Sequence, residues 1–547
     1  MTTERPWDAA YRQYGISHEA PVSPSPTVTA LLEAAMERHA DRPAFRGFGQ
    51  TLSYADVDRQ SAAFAAWLQH DLGVKKGDRI AVMMPNFMAF PLAFLGIVRA
   101  GAVQVSVNPL YTPRELEHQL NDSGSEIIVI FNGATPTLAE IIGNTSVRHV
   151  ITVNPGDGTP AELPSPPVDP RLQGTVPFSA ALANGAALRR QPVPIGGDDL
   201  LFLQYTGGTT GFSKGAALTH HNLVSNVAQF KSFMASATRE GQEVIVTAIP
   251  LYHIFALMVN FITYFSIGSD NWLVANPRDM DGFIDTMAQA RPTVFMGVNT
   301  LYAGLVAHPR LKDVDFSRLL LSGGGGAAVV PATSQKWQQI TGNFIREGYG
   351  LSETGPVLTF NPEAVESFSQ STGLPVPGTD IVLLDANDQP VTQQGEAGEI
   401  CAAGPQIMSG YWQQPEANQA AFTSDGYFRT GDIGYFDERG FLCIADRKKD
   451  MVLVSGFNVY PNEVEAVAAA MPGVLECACT GVPDDKTGEA VRLFIVRTPG
   501  ASLAEAQVVE HCRQQLAAYK VPKQVVFVEA LPKSTVGKIL RRELRTM

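Results

Sequence analysis

The sequence predicts an α/β protein with a large N-terminal domain, built on two doubly wound α/β sheets plus a small β unit, and a small α+β C-terminal domain. Three observations predict this fold. Short apolar strand patterns alternate with amphipathic helix patterns, which is typical of parallel sheets covered by helices on both faces. The 547 residues exceed what one typical core holds. The pattern changes to short β segments near residue 373, and to a compact α+β pattern near residue 450.

The first alternation of strands and helices lies between residues 27 and 153. It opens with a helix at 27–38, a hairpin at 43–54 and a helix at 61–72. Strands are then predicted at 79–84, 102–107, 126–131 and 147–153, with helices at 90–100, 115–120 and 137–142. The stretch 156–170 is rich in proline and glycine and is interpreted as a surface excursion.

A second alternation follows a glycine-rich stretch at 205–217. Helices are predicted at 222–237, 254–267, 277–289 and from 300 to 306, and strands at 243–249, 272–275, 293–298 and 318–322. The apolar helix at 254–267 is shorter than the roughly 20 residues that cross a bilayer, so we expect it to be buried. The last strand runs into four glycines, where a flat ligand can lie against bare backbone; a flexible turn is the alternative.

The C-terminal third changes character twice. Residues 373–410 hold short β segments with turn signals, including 381–384 and 398–402, and predict a small separate β unit. After residue 450, Pro461 opens a helix, and strands at 475–482, 490–496 and 525–528 enclose a helix at 503–516. The tail from Lys520 onward is basic, which suggests contact with phosphates, or otherwise a solvated face.

The overall composition restricts the possible functions. A formal charge of −13 argues against a nucleic-acid binder, because such proteins present a basic face. The five cysteines form no CxxC pair and lie among apolar residues, so we expect buried, reduced thiols rather than metal ligands or disulfides. The N-terminus shows no secretory signal, and we expect the chain in the cytoplasm. Peripheral membrane contact stays open.

The stretch from Tyr205, YTGGTTGFSKGAA, has the composition of a phosphate-binding loop. Its glycines allow close approach of the backbone to an anion, and its hydroxyls and single lysine add donors and charge. The lysine follows a serine and precedes a glycine, so the stretch departs from the Walker A pattern. A glycine-rich surface turn is the alternative. The candidate ligands in and beside the loop are Thr206, Gly207, Gly208, Thr209, Thr210, Gly211, Ser213 and Lys214.

Six further strings follow the loop in order: PLYHIF from Pro250, SGGGG from Ser322, GYGLSETGP from Gly348, GEICAAGPQIMSGYW from Gly398, DGYFRTGDIGYFDERGFLCIADRKKDMVLVSG from Asp425, and LPKSTVGKILRREL from Leu531. Together with the loop they resemble the adenylate-forming enzymes of the acyl-CoA synthetase family, most of all bacterial long-chain fatty-acid CoA ligases. The resemblance covers the chain from about residue 25.

This resemblance implies a domain organisation and a reaction. The N-terminal adenylation domain would span residues 1–445, a hinge residues 446–450, and a mobile C-terminal domain residues 451–547. A fatty carboxylate would attack the α-phosphate of Mg-ATP to give an acyl-adenylate and pyrophosphate. The thiol of coenzyme A would then displace AMP. A carboxylate has no good leaving group, so this activation must come first. The implied ligands are ATP, Mg²⁺, coenzyme A and a fatty acid, with a homodimer left open.

The resemblance also assigns roles to single residues. Lys538, Lys214 and Glu353 are the implied catalytic residues, with Glu353 also the magnesium ligand. Lys538 would guide the attacking carboxylate, and Lys214 the leaving pyrophosphate. Besides the loop and Lys538, the implied ATP-binding residues are Gly324, Gly325, Tyr349, Gly350, Ser352, Asp432 and Arg447. The acyl gate would comprise Tyr252, His253 and Val298, the hinge Lys449, and the coenzyme A site Ser455, Gly456 and Phe457.

Simpler roles stay open for several of these residues: a capping glutamate for Glu353, a turn acid for Asp432, a solvated Lys449 and a buried structural His253. Other functions stay open as well. The string GEICAAG also resembles aryl-acid ligases of the coumarate type, and an acyl-AMP ligase that loads a carrier protein is a further alternative. An oxygenase on the same scaffold has no flavin or metal motif in its favour. A non-enzymatic adenylate sensor would not need Lys214, Glu353, Asp432 and Lys538 together.

Overall fold

The computed structural model describes residues 4–206, 213–455, 457–484, 486–534 and 538–547. Its strands, in chain order, begin with β1 (Pro43–Gly47), β2 (Gln50–Ser53), β3 (Arg79–Met83), β4 (Val103–Ser106), β5 (Ile127–Phe131), β6 (His149–Val153), β7 (Val176–Pro177), β8 (Leu200–Thr206), β9 (Lys214–Thr219), β10 (Val244–Thr247), β11 (Asp270–Leu273), β12 (Val294–Gly297) and β13 (Leu321–Gly324). They continue with β14 (Ile345–Gly350), β15 (Val357–Phe360), β16 (Leu374–Pro375), β17 (Asp380–Leu384), β18 (Gly398–Ala403), β19 (Gly410–Tyr411), β20 (Phe428–Phe436), β21 (Leu442–Arg447), β22 (Val452–Val454), β23 (Phe457–Val459), β24 (Val474–Asp484), β25 (Gly488–Arg497) and β26 (Gln524–Phe527).

The α-helices are α1 (Asp8–Tyr14), α2 (Val28–Arg38), α3 (Tyr54–His70), α4 (Ala89–Arg99), α5 (Pro113–Ser123), α6 (Thr135–Ile141), α7 (Phe178–Gly185), α8 (His220–Phe233), α9 (Tyr264–Ser266), α10 (Met280–Ala290), α11 (Asn299–Ala307), α12 (Pro331–Thr341), α13 (Pro415–Ala421), α14 (Pro461–Ala469), α15 (Glu505–Gln515) and α16 (Arg541–Leu544). A π-helix spans Phe255–Thr263, and 3₁₀ turns span Asn132–Ala134, Ile142–Asn144, Ala235–Ala237, Pro309–Asp313, Ser352–Thr354 and Ala518–Lys520.

Two large sheets carry the N-terminal part, which confirms the predicted α/β class. Among the described residues, one sheet has eight strands in the order β19-β9-β8-β4-β3-β5-β6-β7, and the other nine in the order β16-β15-β14-β13-β12-β10-β11-β1-β2. The hairpin β1–β2 belongs to the first alternation in sequence, yet β1 pairs with β11 of the second sheet. The interiors of both sheets are parallel, so the carboxyl ends of their strands collect at one edge.

The two sheets share one hydrophobic core. Along β3, Ile80 and Val82 point into this shared core, whereas Ala81 and Met83 point into a second cluster on the outer face. Aromatic side chains join the two halves; the ring of Phe261 lies 5.3 Å from that of Phe45 and 5.4 Å from that of Phe94, centroid to centroid. A third cluster covers the outer face of the second sheet. The layers therefore run helix, sheet, helix, sheet, helix.

Three predicted elements need correction. Helix α3 begins at Tyr54 rather than residue 61, because Ser53 and Asp56 form a capping box and Tyr54 and Val57 are already buried in its first turn. Residues 214–219, for which no element was predicted, form β9 and extend the first sheet. The small β unit reaches beyond residue 410, since its four-stranded sheet β17-β18-β20-β21 ends at Arg447.

The apolar segment predicted as a helix at 254–267 is helical and buried, but most of it is wound as a π-helix, Phe255–Thr263. Its buried Asn260 donates to Thr247 Oγ1 at 3.2 Å, and its backbone carbonyl accepts from Asn271 Nδ2 at 2.9 Å. π-turns are rare and concentrate near functional sites. Nowhere in the described part of the chain is a helix both long and apolar enough to cross a membrane.

The C-terminal module is built on a five-stranded sheet of β22 to β26 with its own hydrophobic core. Helices α14 and α15 cover that core. Of the five cysteines, which are all free thiols, Cys401, Cys477, Cys479 and Cys512 are buried and Cys443 is half-buried. Burial raises the pKa of Cys443 to about 11, as expected for an unreactive structural thiol.

Candidate active site

The two ends of the glycine-rich stretch lie in paired antiparallel strands, β8 and β9, so Lys214 belongs to a strand rather than to the start of a helix. Thr206, the last residue of β8, is the cross-strand partner of Lys214, the first residue of β9. Both ends of the stretch are fixed by helix α5: Tyr205 donates its hydroxyl to Asp122 at 2.6 Å, and His118 Nε2 lies 2.8 Å from the carbonyl oxygen of Ser213. Gly207, Gly208, Thr209, Thr210 and Gly211 lie outside the described residues.

Glu353 lies beside the base of this hairpin. It is buried in the 3₁₀ turn Ser352–Thr354, and its Oε1 accepts from Thr206 Oγ1 at 3.3 Å and from the Tyr411 hydroxyl at 2.9 Å. The ring of Tyr411 also carries Lys214, whose Nζ lies 5.3 Å from the ring centroid. Tyr411 therefore connects the carboxylate with the lysine of the loop.

The remaining oxygen of Glu353 is suited to a hard cation. Within the described ranges, no side chain of another residue donates a hydrogen bond to Oε2. Burial raises the pKa of Glu353, while its own backbone, Tyr411 and Thr206 lower it, and the charge of Asp432 raises it again. A buried carboxylate with one uncommitted oxygen, next to a phosphate-type loop, fits the magnesium preference for a carboxylate plus phosphate and water oxygens.

A second carboxylate, Asp432, lies close enough for its charge to act on Glu353. Its Oδ2 accepts from the hydroxyl of Tyr349 at 2.7 Å, and its Oδ1 lies 3.8 Å from Nε of Arg447. Asp432 and Arg447 are direct cross-strand partners of β20 and β21, which explains their proximity. Burial raises the pKa of Asp432, and Arg447 opposes that rise.

Bare backbone surrounds these side chains. A Cβ on Gly324 would lie 2.6 Å from Val329 Cγ2, and one on Gly350 would lie 1.6 Å from the carbonyl oxygen of Pro356, so larger residues do not fit. Gly325 faces the ring of Phe255, with 3.4 Å between its hypothetical Cβ and Cε1. These glycines occupy the carboxyl ends of β13 and β14, the edge where parallel sheets bind ligands.

The three predicted gate residues lie at the same edge. Tyr252 and His253 follow β10 and immediately precede the π-helix, and Val298 follows β12, with its Cγ1 3.6 Å from a Cβ built on Gly326. His253 Nδ1 accepts from the backbone amide of Phe255 at 3.2 Å, so its proton is on Nε2. Burial lowers the pKa of His253 to about 4, and the ring is therefore neutral near pH 7.

The predicted hinge residue, Lys449, lies close enough to Asp432 for its charge to lower the pKa of that carboxyl, and the predicted coenzyme A residues belong to the C-terminal module. Lys449 is exposed after β21, and its carbonyl accepts from Arg545 Nη2 at 2.9 Å. Ser455 lies at the tip of the β22–β23 hairpin, and Phe457 is 57% exposed and stacks on Tyr519 with centroids 4.9 Å apart. Gly456 lies outside the described residues.

Lys538 belongs to a short hairpin before α16. Its backbone amide donates to Ser534 Oγ at 3.1 Å, and its carbonyl accepts from the amide of Ser534 at 2.7 Å. The rest of the basic tail is mostly neutralised, contrary to its interpretation as a phosphate-binding surface. Five of its cations pair with carboxylates of the C-terminal part: Lys520 with Glu463, Lys523 with Asp484, Lys533 with Glu476, Arg541 with Asp446 and Glu465, and Arg545 with Asp450.

Sequence reasoning missed two acidic contacts and a tyrosine. Tyr411 stood within a family string but had no role, and its 58-residue separation from Glu353 gives no sequence signal. Asp122 supports the hairpin through Tyr205 from a helix 83 residues earlier. Glu347 is buried beside Gly324, accepts from the amide of Val329 at 2.9 Å, and has its pKa raised by burial to about 7.

Comparison with known proteins identifies the class. Residues 32–412 match the AMP-binding enzyme family, and residues 463–538 match the AMP-binding enzyme C-terminal domain. The chain belongs to this family of adenylate-forming enzymes.

The names of individual relatives are more specific than the description of the family. The chain is 47% identical over 530 residues to a long-chain-fatty-acid–CoA ligase of Salmonella typhimurium, covering 95% of this chain and 94% of that one. Among solved structures it is similar to ATP-bound MatB of Rhodopseudomonas palustris, with 32% identity, a TM-score of 0.82 and coverage of 95% and 98%. An anthranilate CoA ligase in complex with anthranoyl-AMP gives 25% identity, a TM-score of 0.85 and coverage of 95% and 96%.

Proposed function

We propose that this protein is an AMP-forming long-chain fatty-acid CoA ligase. It activates a fatty acid with ATP to an acyl-adenylate and pyrophosphate, and then transfers the acyl group to coenzyme A with release of AMP. The observation that carries this proposal is the 47% identity, over nearly the full length, to a protein of that name. The geometry of the site supports it, because residues suited to phosphate, metal and ribose meet at one edge of the two sheets.

The phosphate side of the site is the hairpin between Thr206 and Lys214. Lys214 and the loop amides would neutralise the negative charge that grows on the departing pyrophosphate. The cation–π contact with Tyr411 orients Lys214, and the loop ends are fixed by α5. Glu353 and phosphate oxygens would hold Mg²⁺, which supplies further charge neutralisation when bound.

The nucleoside side is the pair of Asp432 and Tyr349. A carboxylate with two acceptor oxygens suits the two ribose hydroxyls, and its pairing with Tyr349 and Arg447 fixes its orientation. The ring of Tyr349 and the glycines Gly324, Gly325 and Gly350 offer a flat surface and bare backbone for the adenine. Ser352 follows on the turn that carries Glu353.

The acyl chain would enter beside Tyr252, His253 and Val298. His253 is neutral near pH 7, so it does not attract the fatty carboxylate as a cation. The buried π-helix places Phe255 against Gly325 and lines this region with apolar side chains. Each buried methylene adds roughly 0.8 kcal/mol, so the depth of this apolar region sets chain-length preference.

Lys538 acts in the first half-reaction, where its ammonium screens the repulsion between fatty carboxylate and α-phosphate. Ser455, Gly456 and Phe457 would act in the second half-reaction, which needs coenzyme A at the same acyl carbon. The domain boundaries follow: residues 1–445 bind ATP and the acyl group, residues 446–450 are the hinge, and residues 451–547 swing between the half-reactions. The separate core of the C-terminal module supports this division.

The decisive experiment measures AMP and thioester formation with ATP, Mg²⁺, coenzyme A and a panel of fatty and aryl acids. We expect thioester with long-chain fatty acids, and no thioester with any acid would refute the proposal. Preference for aryl acids would favour the alternative suggested by the structural likeness to an anthranilate ligase. Dependence on an added carrier protein would favour the acyl-AMP ligase alternative.

Lys538→Ala tests the assignment of the two half-reactions. Because the lysine would stabilise only the attack on the α-phosphate, we expect the variant to lose adenylate formation while still converting supplied acyl-AMP and coenzyme A to thioester. Pyrophosphate release measures the first step, and thioester appearance the second. Equal loss of both steps would contradict the assigned role.

Two hypotheses concern partners and location. The protein would work in the cytoplasm and meet fatty acids by peripheral contact at the inner membrane face, where they partition. It would also form a homodimer. Co-sedimentation with lipid vesicles tests the first hypothesis and sedimentation velocity the second.

A further inference from the structure

A buried ion-pair network lies across the expected hinge. Arg541, the first residue of α16, reaches carboxylates on both sides of Lys449: Asp446 before it, and Asp450 and Glu465 after it. Its Nη1 lies 3.0 Å from Asp446 Oδ1 and 3.7 Å from Asp450 Oδ2, and its Nη2 lies 2.8 Å from Glu465 Oε2. The Asp446 side chain is fully buried and that of Arg541 is 14% exposed.

Asp446 is held by the C-terminal module at two points. Besides Arg541, the backbone amide of Asn462 donates to its Oδ2 at 2.7 Å. Asn462 follows Pro461 at the start of α14, so its amide is the first free N–H of that helix, where a carboxylate is electrostatically favoured. The side-chain amide of Asn462 also donates to the carbonyl of Ala445 at 3.1 Å. The end of β21 is therefore docked against both α14 and α16.

The contacts of Arg541 divide into two classes. Glu465 belongs to the same module as Arg541, and Asp450 follows Lys449 directly, so these contacts persist if the module turns about Lys449. Asp446 precedes Lys449, so the contact between Arg541 and Asp446 must break in that turn. A buried carboxylate that loses its cation is costly, so this single pair contributes to holding the arrangement seen in the structure.

The Lys538 segment is joined to this docking point by a short stretch of chain. Lys538 is three residues before Arg541, a span of at most about 11 Å. The segment is braced by pairing of Lys533 with Ile539 and by the amide of Leu540 on the carbonyl of Pro532 at 2.8 Å. Asp446 directly precedes Arg447 on β21, and Nε of Arg447 lies 3.8 Å from Oδ1 of Asp432.

We propose that Arg541 is a positioning residue for adenylation: through Asp446 it docks the Lys538-bearing segment on the end of β21 and holds the domain arrangement of the first half-reaction. This inference rests on the proposed function. Arg541 touches no substrate, and it acts through the placement of Lys538. The second half-reaction proceeds after this contact has opened, so it does not depend on the pair.

The test compares the two half-reactions in the full-length protein. Asp446→Asn removes the charge, and Arg541→Lys keeps a charge but cannot form the fork to Asp446 and Glu465 together. We expect each variant to lower palmitate-dependent pyrophosphate release at least about tenfold, because small misplacements of a catalytic group are costly. Thioester formation from supplied palmitoyl-AMP and coenzyme A stays unchanged. Arg513→Lys, on the exposed face of α15, is the matched control and changes neither rate.

A double variant tests whether Asp446 and Arg541 act through one contact. If both residues act through one contact, Asp446→Asn with Arg541→Lys lowers adenylation no further than either change alone. Parallel loss of both half-reactions would assign Arg541 a purely structural role and overturn the proposal, as would unchanged adenylation. A wild-type protein that carries out neither half-reaction would instead refute the proposed function, and with it the role of Arg541.

Discussion

Tyr411 contacts both the proposed metal ligand, Glu353, and Lys214 of the glycine-rich loop, through its hydroxyl and its ring. Its hydroxyl donates to Glu353 at 2.9 Å, and its ring lies under Lys214 at 5.3 Å. A tyrosine can do both because its ring is electron-rich on its face and its hydroxyl lies at the edge. Loss of the hydroxyl would therefore affect Glu353 and leave Lys214 in place.

Tyr411→Phe isolates that hydroxyl. A hydrogen bond to a buried carboxylate contributes about 1.5–3 kcal/mol, so we expect kcat/KM for Mg-ATP to fall about tenfold or more. The hydroxyl also lowers the pKa of Glu353, which burial raises. Without it the pKa rises further, and the acid limb of the pH–rate profile moves to higher pH. Tyr14→Phe is the control, since its hydroxyl makes no hydrogen bond with a described residue. An unmoved acid limb would contradict the role.

Glu347 predicts a pH dependence of stability. Burial raises its pKa to about 7 from an ordinary value near 4.5, so the native state favours the protonated form. The contribution of Glu347 to the free energy of unfolding is full below pH 4.5 and is lost as the pH rises through about 7, a change of about 3 kcal/mol. Glu347→Gln should remove this loss, because the amide oxygen can still accept from Val329 and carries no charge.

Urea unfolding at pH 4.5 and pH 7.5 measures the effect. We expect the stability of wild type relative to Glu347→Gln to fall between these pH values by about 2–3 kcal/mol. The exposed Glu366→Gln is the control and should follow wild type at both. A wild-type curve parallel to that of Glu347→Gln would show that the carboxyl titrates normally.

The types of residue at the site were predictable, but their partners were not. The composition of the glycine loop indicates phosphate binding by itself, whereas Glu353 and Asp432 were singled out by the resemblance to adenylate-forming enzymes. The sequence does not indicate that Asp432 would face Tyr349 from 83 positions away, since such pairs depend on how β14 and β20 meet. His253 was left open between a gate and a structural residue; its low pKa makes it neutral but does not decide between them.

At the scale of elements, apolar periodicity predicted most helices and strands, and local hydrogen bonding decided where they begin. Helix α3 begins seven residues before its prediction because Ser53 and Asp56 cap it. The sequence did not predict that Phe255–Thr263 would be a π-helix, because a segment that is apolar on all sides shows no hydrophobic periodicity. Strand β9 was missed because its residues are small rather than β-branched.

Helix α8, which follows the loop hairpin, is joined to β15 by one side chain. Asn226 on α8 accepts from the amide of Val357 and donates to its carbonyl, both at 2.9 Å. The side chain thus takes the place of a neighbouring strand at the start of β15, four residues after Glu353. This pairing fixes the segment that carries Glu353, the proposed metal ligand, relative to the helix after the loop.

Asn226→Ala should destabilise the protein through this element. The change leaves the buried amide of Val357 without its side-chain acceptor and its carbonyl with only the long contact from Gln406 Nε2 at 3.5 Å, which costs about 2 kcal/mol. Urea unfolding at constant pH measures the loss, and the exposed Asn276→Ala should change it little. If Asn226→Ala unfolds at the same urea concentration as wild type, water has replaced both hydrogen bonds and the joint is unimportant.

At the scale of the whole molecule, the sequence predicted two sheets and a separate C-terminal module. The two sheets share one hydrophobic core, and the C-terminal module has a core of its own. The sequence did not predict that β1 and β2 would complete the second sheet, because strand neighbours distant in sequence depend on how the layers assemble. Nor did it predict that the basic tail would be neutralised by the hinge and by α14. Through these ion pairs the basic tail contacts both the hinge and helix α14.

The hinge assignment predicts that stiffening one backbone position separates the two half-reactions. Lys449 is exposed, and its amide donates to no described acceptor, so proline at this position removes no hydrogen bond seen in the structure. Proline does fix φ near −65° and restricts the preceding residue, so the chain can no longer absorb a large torsional change there. In Lys449→Pro we expect a burst of acyl-adenylate close to one per protein, followed by slow thioester formation. Rapid-quench assays with palmitate measure both steps, and Lys449→Ala, which keeps the backbone free, should resemble wild type. Normal thioester turnover in Lys449→Pro would place the pivot elsewhere in residues 446–450.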